Sequence, residues 1–376
     1  MKVLVAMDSL KGSLSSRKAG EAVREGILRA RPDARIDVRL LADGGEGTAE
    51  VLIKSRDGKR INRKVTGPFG TLVNASYGYD PDTHMVFIDM ASAVGFHLIR
   101  EEEKNPMTAT TYGVGEMIKD AVNRGGRDFI IGLGGSVTND GGLGMLEALG
   151  YRFTDGSGIP VGRGGQALGK VERIDVSHVI PELAECTFRI ACDVENILCG
   201  PKGATYIYGP QKGAETEQIK QQLDAGMRHF ADVSNAFLGT CCDCEPGSGC
   251  GGGIGYAFFG YLHAKGESGA ELIMRETKIG EAMKGCDYVV TGEGCLDAQS
   301  VMGKAPVRIA RLAKEVNAKV IAFAGSVTKE SKKCNACGID AYFPIVRGIT
   351  TREEAMNPQK AYENLADTAE QVFRLL

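Results

Sequence analysis

Residues 129–146, FIIGLGGSVTNDGGLGML, leave the chain few ways to fold. Phe129, Ile130, Ile131 and Leu133 form a short apolar run, as carried by a strand buried on both faces. Glycines at 134, 135, 141, 142 and 144 follow, and they open backbone angles closed to residues with a Cβ. From Met145 onward the pattern predicts a helix. A strand that passes to a helix through a glycine turn belongs to a βαβ unit with parallel pairing. The start of such a helix offers free N–H groups and a positive dipole end, which suits phosphate. Ser136, Thr138, Asn139 and Asp140 add hydroxyl, amide and carboxylate groups at that point. One such turn is equally the mark of an ordinary βα connection, so the other turns have to decide.

They repeat the layout. Residues 2–7 (KVLVAM) predict a strand ending at Asp8, and Ala19, Val23, Ile27 and Leu28 give helical spacing from about Ser15. Ser13 or Ser15 is the expected cap, so Asp8, Ser9, Lys11 and Ser13 lie on a strand-to-helix loop. A second strand at 36–41 ends in ADGGEGT (42–48), where Asp43, Gly44, Gly45 and Glu46 precede another helix. From 59 to 90 the chain alternates, is rich in Thr, Val and Tyr, and carries turn signals at Gly67-Pro68 and Asp80-Pro81. That predicts antiparallel hairpins outside the first domain. A strand at 188–192 ends on Asp193, a carboxylate read as metal ligand, general base or turn cap. The glycine-dense stretch 247–266 allows either tight helix packing or ligand contact. In the last third a strand at 288–290 runs into TGEGCLDAQSVMGKAP (291–306), with Glu293, Asp297, Gln299 and Lys304 around glycines. Two acids, an amide and a lysine suit phosphates with a divalent cation, because Mg²⁺ favours one or two carboxylates together with phosphate oxygens. A strand at 319–324, with Gly325-Ser326 after it, a strand at 342–346 and a helix at 359–376 complete the chain.

The turns at 8–13, 43–48, 134–142, 292–304 and 325–326 all fall where a strand meets a helix. In a parallel sheet such loops gather at one edge, which predicts a shared crevice. The bulk numbers narrow the reading. A chain of 376 residues predicts two domains. A hydrophobic content of 43% with 25% charged residues is that of a soluble globular protein. A net charge of −3 gives no basic field for nucleic acid or an anionic membrane. Met1-Lys2 opens directly into a strand, and no apolar run nears the roughly 20 residues that cross a bilayer; a cytoplasmic protein is expected. The eleven cysteines, including Cys241, Cys242, Cys244 and Cys250 and the Cys334/Cys337 pair, have irregular spacing. They are read as reduced thiols, with a structural metal the minority reading. No Walker loop, no dinucleotide fingerprint in a fitting context and no GxSxG elbow is present.

The motifs DSLKGSLSS (8–16), ADGGEGT (42–48), GLGGSVTNDGGLG (132–144), DVENILCGPKGA (193–204) and TGEGCLDAQSVMGKAP (291–306) together resemble those of the type 1 glycerate kinase family, in the same order and over nearly the whole chain. The resemblance implies ATP-dependent phosphorylation of D-glycerate, with 2-phosphoglycerate and ADP as products. It also implies an α/β fold: a flavodoxin-like parallel-sheet domain plus a second mixed α/β domain inserted in the middle of the chain. The expected division is 1–60 and 286–376, with part of 105–150, against 61–285, and an active site in the cleft between them. The extra thiols at 241–250 depart from a Gly/Ala-rich family pattern. On chemistry and loop position, Lys11 and Lys304 are expected to neutralise phosphate charge. Gly134, Gly135, Ser136, Asn139, Gly141, Gly142, Gly292 and Gly294 are expected to line ATP, and Asp140 or Glu293 to hold Mg²⁺. Asp8, Ser9, Asp43, Gly44 and Gly45 are expected at glycerate. Asp193 is the first choice for proton acceptor and Asp297 the second. A different hydroxy-acid phosphotransferase and a non-catalytic nucleotide or metabolite sensor are the alternatives. A homodimer is compatible with the sequence.

Overall fold

The computed structural model describes residues 1–10, 12–41, 47–56, 58–301 and 304–376, and all their side chains except that of Gln299. Lys11, Asp43, Gly44 and Gly45 therefore lie outside the described residues. The described chain divides into a terminal unit, residues 1–43 with 270–376, and an inserted unit, residues 44–269.

In chain order, β1 (Lys2–Met7) leads to α1 (Ser16–Ala30), β2 (Arg35–Val38) and α2 (Thr48–Ser55). Then come β3 (Lys59–Thr66), β4 (Leu72–Asp80), β5 (Met85–Asp89), α3 (Tyr112–Asn123), β6 (Asp128–Gly132) and α4 (Leu143–Ala148). A small antiparallel pair, β7 (Arg152–Thr154) and β8 (Arg173–Asp175), precedes β9 (Thr187–Ala191). The inserted unit closes with α5 (Glu217–Leu238), α6 (Cys250–Leu262) and β10 (Lys265–Glu267). After α7 (Gly269–Glu276) come β11 (Tyr288–Leu296), α8 (Ala305–Glu315), β12 (Lys319–Val327), β13 (Ala341–Pro344) and α9 (Pro358–Arg374).

The terminal unit holds a parallel sheet in the order β13-β12-β11-β1-β2. Numbered along this unit alone, that is 2-1-3-4-5 read from the other edge, the order of flavodoxin-like doubly wound sheets. Both faces are covered, so the alternation of side chains sends successive residues into two cores. Val3, Val5 and Met7 pack with Ala19, Val23 and Ile27 of α1 and Leu365 and Phe373 of α9. Leu4 and Ala6 face the other way, toward Met274, Val307 and Ala310. Local signals end the elements: Ser15 caps α1 by accepting from the Lys18 N–H, and Asn357 with Pro358 starts α9.

The inserted unit holds a mixed sheet in the order β10-β9-β6-β5-β4-β3. Its β10, β9, β6 and β5 pair in parallel, and the β4 and β3 hairpin runs antiparallel as its alternating sequence predicts. Three sequence expectations need correction. Residues 105–150 lie wholly in this unit, because β6 pairs on both sides with strands of the same sheet. The boundaries fall near 43 and 270 instead of 60 and 286: Val51 and Leu52 of α2 are buried with the inserted unit's strands, whereas Ala270, Met274, Ile279 and Met283 join the terminal core. Finally, β11 runs on to Leu296 and β12 to Val327, so Gly292, Glu293, Gly294, Gly325 and Ser326 are strand residues. Glycine at 292 is a matter of spacing, since a Cβ there would sit 1.9 Å from the Phe323 carbonyl oxygen.

Candidate active site

In the terminal unit the connections from β1 and β11 wind to opposite sides of the sheet. The crevice outside their carboxyl ends is where open α/β sheets bind ligands. Asp8 and Ser9 emerge from β1, and the Asp8 N–H donates to the Gly292 carbonyl at 2.9 Å. Asp8 is buried, with Oδ1 accepting the Ser9 N–H. From β11 comes Glu293, also buried, whose Oε1 accepts the Ser300 hydroxyl at 2.6 Å. The Lys304 ammonium lies 3.7 Å from Glu293 Oε2 and 3.5 Å from Asp297 Oδ1. Asp297 Oδ1 accepts the Ser300 N–H at 3.0 Å, which fixes the turn, and Lys304 stands at the N-cap of α8. Two carboxylates and an ammonium thus meet where β11 hands over to α8.

Burial raises the Glu293 pKa, and the Ser300 hydrogen bond and Lys304 only partly oppose it. The folded carboxyl then keeps its proton to higher pH than the unfolded one, whose ordinary value is 4.5. Its contribution to stability accordingly falls as pH rises above that value. Glu293→Gln retains an acceptor for Ser300 but has no charge to desolvate. Its melting temperature at neutral pH is expected to exceed the parent's by about 2–4 °C. Thermal melts of both proteins at pH 5 and pH 7.5 check this, and a variant that melts below the parent at pH 7.5 contradicts it.

In the inserted unit, register brings Asp89, Gly132 and Ala191 into one row across β5, β6 and β9. The segments that continue from these three strands therefore leave the same edge, at spacings of about 4.8 Å. Asp89 accepts the N–H groups of Gly47 (2.9 Å) and Ala49 (3.1 Å). It anchors the far end of the ADGGEGT segment at the start of α2. After β6, Gly134 and Gly135 reach solvent, but Ser136, Asn139, Asp140, Gly141 and Gly142 are buried. After β9, Asp193 is exposed, with Oδ1 accepting from the Ser268 hydroxyl (2.7 Å) and the Gly269 N–H (3.1 Å).

The buried part of the 134–142 segment is architecture. Asp140 Oδ2 accepts from the Thr111 N–H (2.7 Å), the Thr111 hydroxyl (3.0 Å) and the Gly144 N–H (3.3 Å), and Oδ1 accepts from the Gly142 N–H (3.2 Å). It is fully buried at the start of α4, and burial raises its pKa against those bonds. The free N–H groups of that helix are thus satisfied from inside, and Asp140 has its oxygens turned away from solvent. Asn139 donates to the Thr205 hydroxyl at 3.0 Å, and among the described residues its Oδ1 and the Thr138 hydroxyl are buried without a hydrogen-bond partner.

Behind the loop stands a residue that sequence reasoning passed over. Lys212 ends a short 3₁₀ turn, Pro210–Lys212, and is 2% exposed. Its ammonium donates to the Thr138 carbonyl at 2.7 Å and the Ser136 hydroxyl at 3.2 Å. Ser136 donates onward to the Gly251 carbonyl, and the Gly141 N–H donates to the Gly252 carbonyl, each at 3.1 Å. The glycines at 251–253 are all left-handed and press on the 133–141 segment, which decides for packing at that turn. Asp89 was passed over too; its only signal was a carboxylate at a strand end.

All eleven cysteines are free thiols. Among the described residues no group of three or more His, Cys, Asp or Glu side chains is arranged to hold a metal. No helix among them is long and apolar enough to cross a membrane.

Comparison with known proteins bears directly on these edges. A sequence model of the Glycerate kinase family matches residues 3–376. The chain is 40% identical over 376 residues to the glycerate kinase of Haemophilus influenzae, covering 100% of this chain and 99% of that one. It is also 40% identical to the glycerate 2-kinase of Escherichia coli K12, covering 100% and 98%. A solved structure from Salmonella typhimurium LT2, described as glycerate kinase 2, superimposes with a TM-score of 0.88 at 37% identity, over 100% of this chain and 98% of that one.

Proposed function

The chain belongs to the glycerate kinase family and is a glycerate kinase, and from that premise we propose that it uses ATP with Mg²⁺ to phosphorylate D-glycerate at the 2-hydroxyl, releasing ADP. The product assignment is supported by similarity to a relative named glycerate 2-kinase. The observation that carries the phosphoryl-transfer reading is the Glu293, Asp297 and Lys304 cluster at the switch point of the parallel sheet. Phosphoryl transfer spreads negative charge over oxygens, so positioned cations and donors do most of the work. Lys304 supplies one such cation at the N-cap of α8, and Lys11 is proposed as a second. The donor set fits Mg²⁺, which takes one or two carboxylates from a protein together with substrate phosphate oxygens. Glu293 and Asp297 would hold it, and when bound it would neutralise charge on the phosphate oxygens. Asp140, spent on its four donors, takes a structural part instead.

Gly134 and Gly135 present exposed backbone to an anionic group, and Asp8, Ser9, Asp43, Gly44 and Gly45 remain candidates for the acceptor. Asp193 is assigned the proton of the glycerate hydroxyl. Its exposed carboxylate at a strand end, held by a hydrogen bond from Ser268, supports that reading. ADP release, followed with ATP, Mg²⁺ and a panel of small hydroxy acids, tests the reading. D-Glycerate is expected to drive release above the rate with ATP alone and above lactate or glycolate. Equal release with every acid, or none with any, contradicts it.

A further inference from the structure

An ammonium fully withdrawn from water is costly, and two hydrogen bonds to neutral acceptors offset only part of that cost at residue 212. Methionine would fill the same space without the desolvation. Lys212 is nevertheless there, held by Ser136 and Thr138. Ser136 directly follows the only solvent-facing residues of its loop, Gly134 and Gly135. The acidic groups that face Lys212 are the Asp140 carboxyl from the loop and the Cys250 thiol from α6, which burial beside Cys192 keeps protonated well above its ordinary range.

We propose that Lys212 is a positioning residue for substrate anions: it fixes Ser136 and Thr138, and it sets a buried positive charge behind the Gly134 and Gly135 backbone on which a carboxylate or phosphate rests. The inference rests on the kinase reading above. A buried charge beneath exposed amides strengthens anion binding more than the same charge in water, because little solvent screens it. The anion is either the carboxylate of glycerate or a phosphate of ATP, and separate KM values tell them apart.

Burial also lowers the Lys212 pKa from its ordinary 10.5 to about 8. Between those values the unfolded chain holds more protons than the folded one, so the Lys212 contribution makes stability rise with pH. Anion binding should move the opposite way, weakening as the charge is lost. Opposed slopes in one pH interval are a signature that a residue serving packing alone does not give.

The test compares the full-length parent with Lys212→Met. At pH 7 the variant is expected to fold, since the lost donor to the Thr138 carbonyl and the relieved desolvation of the charge oppose one another. Its KM for one of the two substrates is expected to rise about 30-fold, the size of a lost charge-assisted contact. Above pH 8 the parent should lose affinity for that substrate and gain stability, and the variant should do neither. Parental KM values with an unchanged pH profile in Lys212→Met overturn the proposal. Should that variant not fold, the parent decides: a KM that climbs above pH 8 supports the role, and one flat to pH 9.5 overturns it. A parent that does not phosphorylate glycerate refutes the kinase reading instead. Calorimetry with ATP, inorganic phosphate and D-glycerate then decides for Lys212, a parent-to-variant affinity ratio of about 30 for one of them supporting it and ratios near one for all three overturning it.

Discussion

Asp193→Asn is expected to lower kcat by about 10²- to 10⁴-fold, the range of general-base catalysis, with the melting temperature unchanged. The substitution is a clean one. Among the described residues, the bonds to the Asp193 carboxylate all go to Oδ1, which accepts from Ser268 and Gly269, and an amide oxygen can still accept both. What disappears is the charge and the capacity to take a proton. The residue is exposed at the end of β9, so no packing changes with it. Steady-state kinetics beside thermal melts check the expectation. A kcat within about threefold of the parent removes Asp193 as the base.

Gly252→Ala should do the reverse, destroying stability while touching no reacting group. Gly252 has φ +82°, and a Cβ there would stand 2.0 Å from the Thr138 carbonyl oxygen. That oxygen cannot retreat freely, because it accepts the buried Lys212 ammonium. Left-handed strain and a collision with fixed backbone together are expected to cost about 4 kcal/mol or more, lowering the melting temperature by roughly 10 °C. Gly158→Ala is the matched control. Its φ is also +82°, but nothing lies within 4 Å of the added methyl, so only the conformational cost of about 1 kcal/mol should appear. Equal losses in the two variants contradict the packing account of the 251–253 turn.

The sequence carried the fold further than it carried the site. The alternation in KVLVAM and the glycine turns after apolar runs are local signals, and they announced a parallel sheet with loops at strand ends. What stayed illegible depends on contacts between distant residues. The strand character of Gly292 and Gly294 comes from pairing with β12, which local reading took for a loop. The unit boundaries moved because α2 and α7 each pack on a sheet that their neighbours in sequence did not reveal. Asp140 carried the right chemistry for a metal, but Thr111, 29 positions away, absorbs it. Lys212 in YGPQKG had every mark of a solvated lysine. Only the tertiary fold puts it behind Ser136, 76 residues earlier.

Phosphorus-31 NMR of the product, proton-coupled and recorded after incubation of the parent with ATP, Mg²⁺ and D-glycerate, reports on the transfer itself. A phosphate on the 2-hydroxyl couples to the single proton of that carbon and gives a doublet. A new doublet together with ADP signals is the outcome expected here. A triplet, which marks transfer to the CH₂ hydroxyl, or inorganic phosphate alone, contradicts the account.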